Sequence, residues 1–272
     1  MKQAAAFLFI VFFSCTQPAK KITLAETLAA GKWVDLSYDF SDETIYWPNN
    51  PTGFKLDTQF NGITPAGFYY SSNAFFTPEH GGTHLDAPVH FAKGKWSSDQ
   101  IPVEQLAGPA VVIDVTAKAK DNPDYQITVA DVEAWEKQYS NVPAGSMLLF
   151  HTGWGRFYPH KESYLGTAAK GDSAIAHLHF PGIHPELAAW LVKNRKIKAV
   201  GIDTPSIDYG QSKDFKTHQV LYAENIIGFE NLASMDALPA TGAYIIALPM
   251  KIRNGTGGPL RIVAWMENNN TQ

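Results

Sequence analysis

A single α/β domain of mixed sheets with flanking helices is the fold class this sequence predicts, preceded by a short leader and tether. Two observations carry that expectation. Apolar runs rich in β-branched residues and bounded by Gly, Pro, Asn or Asp recur along the chain, as strands require. Helical patterns stand between some of them, with no internal repeat and no low-complexity linker. A chain of 272 residues suits one large domain or two small ones, and 45% hydrophobic with 18% charged residues is ordinary for a globular protein.

The elements follow in order. Residues 1–15, MKQAAAFLFIVFFSC, hold one lysine, an apolar run from Ala4 to Phe13, and then Ser14-Cys15. That run is shorter than the roughly 20 residues a spanning helix needs. It has the layout of a secretory signal, and the chain's single cysteine ends it. The segment resembles a bacterial lipoprotein signal, in which that cysteine becomes the lipidated first residue. The alternative is an ordinary cleaved signal. Either reading implies export: as a lipoprotein on the periplasmic side of a bacterial membrane, touching the membrane only through the lipid, or as a soluble periplasmic or secreted protein. One cysteine permits no internal disulfide.

Residues 16–30, TQPAKKITLAETLAA, read as a tether and a short helix, Leu24 to Ala30, ended by Gly31. The domain proper is expected over residues 31–272. WVDLSYDF, Gly108-Pro109 followed by AVVIDVT, SMLLFHT, IKAVGID and AYIIALPM read as strands. Val129–Tyr139 reads as a helix with Thr128 as N-cap, and Pro185–Asn194 as a helix with Leu187, Trp190 and Leu191 on one face. Ser41 to Phe76, rich in aromatics, Pro and Asn, reads as long loops or an edge hairpin, where ligand contacts tend to lie. Met147, Met235 and Met250 read as core. The net charge of −4 and pI near 6.1 provide no basic footprint for nucleic acid.

The chemistry concentrates in EHGGTHLDAPVHF, Glu79 to Phe91, where three of nine histidines fall within eleven positions. His80, His84, Asp86 and His90 are spaced four, two and four. A helix would point Asp86 nearly opposite His84, and Gly81-Gly82 and Pro88 disfavour a helix. In an extended chain even offsets share a side, which puts His84 and Asp86 about 6.6 Å apart and able to converge on one ion. The glycines let the backbone turn His80 inward, and Pro88 ends the extended segment and holds His90 at an offset. Two imidazoles and a carboxylate are the donor set of catalytic zinc, with a position left for water. His90 need not bind metal and can act as general acid/base. The competing reading is a loop of surface histidines.

HGGTHLDAPVHF resembles the H-x-G-T-H-x-D-x-P-x-H signature of the metal-dependent cyclase family, which includes bacterial kynurenine formamidases and isatin hydrolases. LAGPAVVIDVT, PAGSMLLFHTGW, GIDTPSID and a later histidine followed by ENIIGFENL resemble further landmarks of that family, in the same order. The resemblance implies a swivelling β/β/α-type fold, commonly a homodimer or larger. It also implies a second ion beside the first, bridged by Asp86 and held by His218 and Glu230, which stand twelve residues apart. On its own residues alone, Glu230 ends an apolar run and reads sooner as a core-edge glutamate than as a site residue. Trp47, in TIYWPNNP, occupies the place of a family tryptophan that packs on an aromatic substrate, though Pro48-Asn49-Asn50 depart from the usual continuation. The implied reaction is hydrolysis of an amide, formamide or cyclic amide of a small aromatic molecule, with His90 moving a proton. Zinc is favoured by the imidazoles, the resemblance implies a pair of ions, and manganese is the alternative because carboxylates also ligate.

Other candidates are weaker. His151 ends a strand and can face a site. His177, His179 and His184 lie in a loop entering a helix and read as solvated or capping. Asp203 and Asp208 read as support for the ligands or as a shaped turn. A rival class is a solute-binding lipoprotein that holds a ligand without turnover, which would not need His90. A ring hydrolase of lactone or isatin type is the nearer alternative.

Overall fold

The computed structural model describes residues 22–268. The signal expected over residues 1–15, Cys15 and the first part of the tether lie outside the described residues. No helix among the described residues is long and apolar enough to cross a membrane.

The helices are α1 (Leu24–Ala30), α2 (Thr116–Asp121), α3 (Val129–Tyr139), α4 (Lys161–Leu165), α5 (Pro185–Asn194) and α6 (Lys216–Tyr222). The strands are β1 (Lys32–Asp35), β2 (Lys55–Ile63), β3 (Tyr69–Phe76), β4 (His84–Asp86), β5 (Ala107–Asp114), β6 (Gln126–Ile127), β7 (Met147–His151) and β8 (Gly182–Ile183). After them come β9 (Ala199–Ile202), β10 (Ile227–Glu230), β11 (Tyr244–Pro249) and β12 (Gly257–Met266).

The principal sheet runs β1-β12-β11-β5-β7-β9-β10-β4. A further pairing of β12 with β4 closes it into a barrel. Strands β5, β7, β9 and β10 are parallel to one another, and the remaining pairings are antiparallel. Closure is possible because β12 is long: Gly257–Pro259 pair with β4, whereas Val263–Met266 pair with β1 along the same edge.

The parallel strands read as unbroken apolar runs because both their faces are covered. Ala110, Val112, Met147, Leu149 and Ala199 turn into the barrel, packing with Leu85, Ile227, Phe229 and Ile245. Their neighbours Val111, Ile113, Leu148, Phe150, Val200 and Ile202 turn outward beneath the helices, against Val132, Leu187, Leu191 and Leu221. Each such side chain contributes about 1.5–3 kcal/mol of burial. Helix α3 starts at the expected Thr128, whose side chain and Asp131 form a capping box. Helix α5 has the expected bounds, but of the expected stripe Leu187 and Leu191 are buried and Trp190 lies half out, under the Arg195 guanidinium at 4.3 Å; Ala188 is buried in its place.

Two expectations are corrected, for WVDLSYDF and Met250, and the choice left open for Ser41–Phe76 is resolved. WVDLSYDF is a strand only over its first residues, β1, because Asp35 accepts the Ser37 N–H and ends the pairing. The Ser41–Phe76 stretch is a loop to Phe54 and then a regular hairpin, β2–β3, that stands off the barrel with most of its side chains exposed. Met147 and Met235 are core, but Met250 follows the end of β11 and is 43% exposed.

Candidate metal centre

Strand β4 is the floor of the site. Its alternation sends Leu85 into the barrel core and places His84 and Asp86 together on the opposite face. Antiparallel pairing sets Glu230 of β10 directly across from His84, and Gly228 across from Asp86. A Cβ at Gly228 would stand 2.3 Å from the Tyr222 hydroxyl, so only glycine admits that ring; the hydroxyl donates to Asp86 Oδ2 at 2.9 Å.

The preceding loop brings in His80. Gly81 and Gly82 have φ of 146° and 55°, values that side chains rarely adopt, and a Cβ at Gly81 would overlap the Tyr46 ring. His80 thereby turns back onto β4, with Nδ1 2.7 Å from Asp86 Oδ1. His218 comes from the first turn of α6. Asp208 accepts the Thr217 and His218 backbone N–H groups, each at 3.1 Å, and the His218 Nδ1–H at 2.5 Å. That leaves His218 Nε2 3.3 Å from Asp86 Oδ2 and 3.1 Å from Glu230 Oε1.

Two overlapping donor sets result: His80, His84 and Asp86, and Asp86, His218 and Glu230. Asp86 belongs to both, presenting Oδ1 to one set and Oδ2 to the other. The donors suit a cation. His84 donates its Nδ1–H toward the Gly82 carbonyl at 3.0 Å, while its buried Nε2 makes no hydrogen bond despite lying 3.2 and 3.3 Å from the Asp86 and Glu230 carboxylates. A buried donor atom left without a partner beside two carboxylates is what a metal ion would complete.

The electrostatics agree. Burial pushes the His84 pKa down, but the Asp86 and Glu230 carboxylates outweigh it and raise the pKa to about 10. His218 is likewise raised, burial being overcome by Asp208, Asp86 and Glu230. Burial opposes ionisation of Asp86, yet the surrounding imidazoles hold it well below the usual carboxylate range. These buried carboxylates attract positive charge to the site, whether as protons or as a metal.

His90 ends the turn Pro88–His90 and belongs to neither donor set. Its ring stacks on His80 with centroids 3.9 Å apart and lies 6.4 Å from the His218 ring. Burial pushes its pKa down to about 4, against the pull of Asp86. Above the donors opens a cavity of about 240 Å³ with Trp47, Phe91 and Phe215 on its walls and His90 at its edge. Trp47 and Phe215 have ring centroids 5.9 Å apart, and Phe91 lies 5.4 Å from Phe215.

The structure therefore brings His80, His84, Asp86, His218, Glu230, His90 and Trp47 to one cavity. The two aspartates of GIDTPSID divide their work: Asp208 holds His218, whereas Asp203 accepts from Thr152 and Trp154 and shapes a turn. His151 lines a separate cavity with Arg156 and Asp236. His184 caps α5 and His179 pairs with Asp124 at 2.8 Å, so neither joins the centre. Sequence reasoning missed Tyr222, Phe91 and Phe215. Only the position of Phe215 and Tyr222 on either side of His218 hinted at them.

Comparison with known proteins gives a consistent result. The family model described as "Putative cyclase" matches residues 34–209. The chain is 33% identical over 240 residues to an isatin hydrolase of Roseibium aggregatum, covering 81% of this chain and 88% of that one. It is 27% identical over 231 residues to a kynurenine formamidase of Salinibacter ruber, covering 85% and 95%. Among solved structures, isatin hydrolase A from Ralstonia solanacearum superposes with a TM-score of 0.79 at 31% identity, covering 92% of this chain and all of that one.

Proposed function

This chain belongs to the cyclase family, and from that membership we propose that it is a metal-dependent hydrolase opening an amide, formamide or cyclic amide bond on a small aromatic molecule. The observation that carries the reading is Asp86, whose two oxygens face two different donor sets. We infer a pair of zinc ions there, since three of the five donors are imidazoles, with manganese as the alternative. His80, His84 and Asp86 would hold one ion, and Asp86, His218 and Glu230 the other. Such ions supply Lewis acidity and a nucleophile from water near neutral pH.

The chain's own residues supply the rest. Trp47, Phe91 and Phe215 offer flat apolar faces that orient an aromatic ring and exclude water. His90, free of both donor sets and held by its stack on His80, is placed to take a proton from the attacking water and return it to the leaving nitrogen. Tyr222 and Asp208 hold Asp86 and His218 in place.

Purified protein, assayed for zinc and manganese and then offered isatin, aryl formamides and aryl lactones, tests this reading. The expected outcome is bound metal together with ring opening or deformylation that a chelator abolishes. Bound metal without turnover of any of these would favour a ligand-holding role, and absence of metal would remove the reading.

We also infer a homodimer or larger assembly. The β2–β3 hairpin exposes Leu56, Ile63, Phe68, Tyr69, Phe75 and Phe76, and a two-stranded hairpin is marginal in water unless something covers it. Export and a lipid anchor at Cys15 complete the proposal; they rest on the leader's layout alone.

A further inference from the structure

Two residues outside both donor sets stand behind His80. Thr256 Oγ1 lies 2.8 Å from His80 Nε2 and 2.6 Å from Glu79 Oε2, and the Thr256 backbone N–H donates to the same Glu79 oxygen at 2.9 Å. We propose that Glu79 and Thr256 form a relay that keeps the His80 proton on Nε2, so that His80 turns Nδ1 toward the metal position. The inference rests on the metal reading of the site and assigns both residues a positioning role.

The hydroxyl of Thr256 has one proton and two neighbours. Glu79 Oε2 accepts the Thr256 backbone N–H, and at 2.6 Å it accepts the hydroxyl proton as well. The hydroxyl oxygen then accepts from the His80 Nε2–H, which leaves Nδ1, 2.7 Å from Asp86 Oδ1, as the ring atom that would meet a metal. His84 and His218 are set the other way: each donates its Nδ1–H, to the Gly82 carbonyl and to Asp208, and presents Nε2. One imidazole of opposite orientation follows from the backbone. His84 rises from a strand, but His80 folds back from the loop before it and reaches the site side-on.

The strip that carries Thr256, NGTGG over residues 254–258, is shaped for this contact. A Cβ at Gly257 would lie 2.7 Å from His80 Cε1 and 2.5 Å from the Leu85 carbonyl, and a Cβ at Gly255 would lie 2.8 Å from Glu79 Oε1. Thr256 is therefore pressed between Glu79 and His80 with only glycine tolerated on either side. Three bonds hold the strip: Ala87 N–H to the Thr256 carbonyl, Ser98 N–H to the Gly255 carbonyl, and Asn254 N–H to Asp99 Oδ1, each at 2.9 Å.

The test reads the ring directly. Long-range proton–nitrogen NMR of the zinc-loaded wild type should find His80 protonated at Nε2 and shifted by metal at Nδ1. Thr256→Val, which removes the hydroxyl at constant shape, should weaken binding of one of the two ions by about 10–100-fold in chelator competition. Thr256→Ser keeps the relay and should stay within about threefold of wild type. A His80 proton on Nδ1 in the zinc-loaded wild type would overturn the inference, and so would wild-type zinc affinity in a folded Thr256→Val. If that variant does not fold, the wild-type spectrum still decides. Failure of the wild type to bind zinc would instead remove the metal reading, and the relay with it.

Discussion

Glu230 stands directly opposite His84 in the β10–β4 ladder, and its Oε2 lies 3.3 Å from His84 Nε2. A cross-strand pair of this kind is fixed by register, and a one-residue slip would send Glu230 into the barrel core. The centre is thus as rigid as the barrel seam that carries it.

Asp86 serves both donor sets, so Asp86→Ala should lose most of both ions, whereas His218→Ala should mainly empty one. Elemental analysis of the folded variants checks this. Full metal content in Asp86→Ala would eliminate the bridge.

Metal binding should release protons. The metal-free pKa of His84 is raised to about 10 and that of His218 is also raised, so both are charged at pH 7 and must deprotonate to ligate. Calorimetric titration in buffers of different ionisation enthalpy should report release of about two protons in all, and metal affinity should rise with pH. In metal-free protein the sign is opposite for stability. The raised His84 pKa contributes stability below about pH 6.5, and that contribution is lost as pH climbs through about 10. A binding enthalpy independent of buffer would contradict the charged state.

His90→Ala should keep the metals and the fold, since His90 is in neither donor set. Turnover should fall by about 10²–10⁴ and mostly in kcat, because the proton moves in the transition state. Metal content and steady-state kinetics on one preparation separate the cases: metal loss would make His90 a ligand, and unchanged kcat would deny it the acid/base role.

Gly228→Ala should destabilise the protein by about 1–3 kcal/mol through overpacking, because the new methyl meets the Tyr222 hydroxyl at 2.3 Å. Gly228→Ala combined with Tyr222→Phe should recover part of that loss in denaturant unfolding. No recovery would mean that the strain lies elsewhere.

Cys15→Ser should release the protein from membranes, since acyl chains supply anchoring at about 0.8 kcal/mol per buried CH₂. Fractionation of cells expressing the wild type and the variant measures it. A wild type that fractionates as freely soluble would refute the anchor.

Local chemistry made much of this protein legible from its sequence. The apolar runs of β5, β7, β9 and β11, the caps and stripes of α3 and α5, and the spacing of His80, His84 and Asp86 are properties of neighbouring residues, and periodicity reports them. His218 and Glu230 were legible only through a family resemblance, because nothing local distinguishes Glu230 from the edge of a core. Tertiary structure alone decided the rest. Tyr222 reaches Asp86 across 136 residues and Thr256 reaches His80 across 176, contacts that exist only once β12 closes on β4 and α6 packs beneath β10. The hairpin β2–β3 left the barrel for a similar reason: its strands pair with each other, and every edge near the site is already taken by β10, β12 or β1. Hydrophobic period and turn chemistry act over a few residues, whereas register and closure are set by the whole barrel.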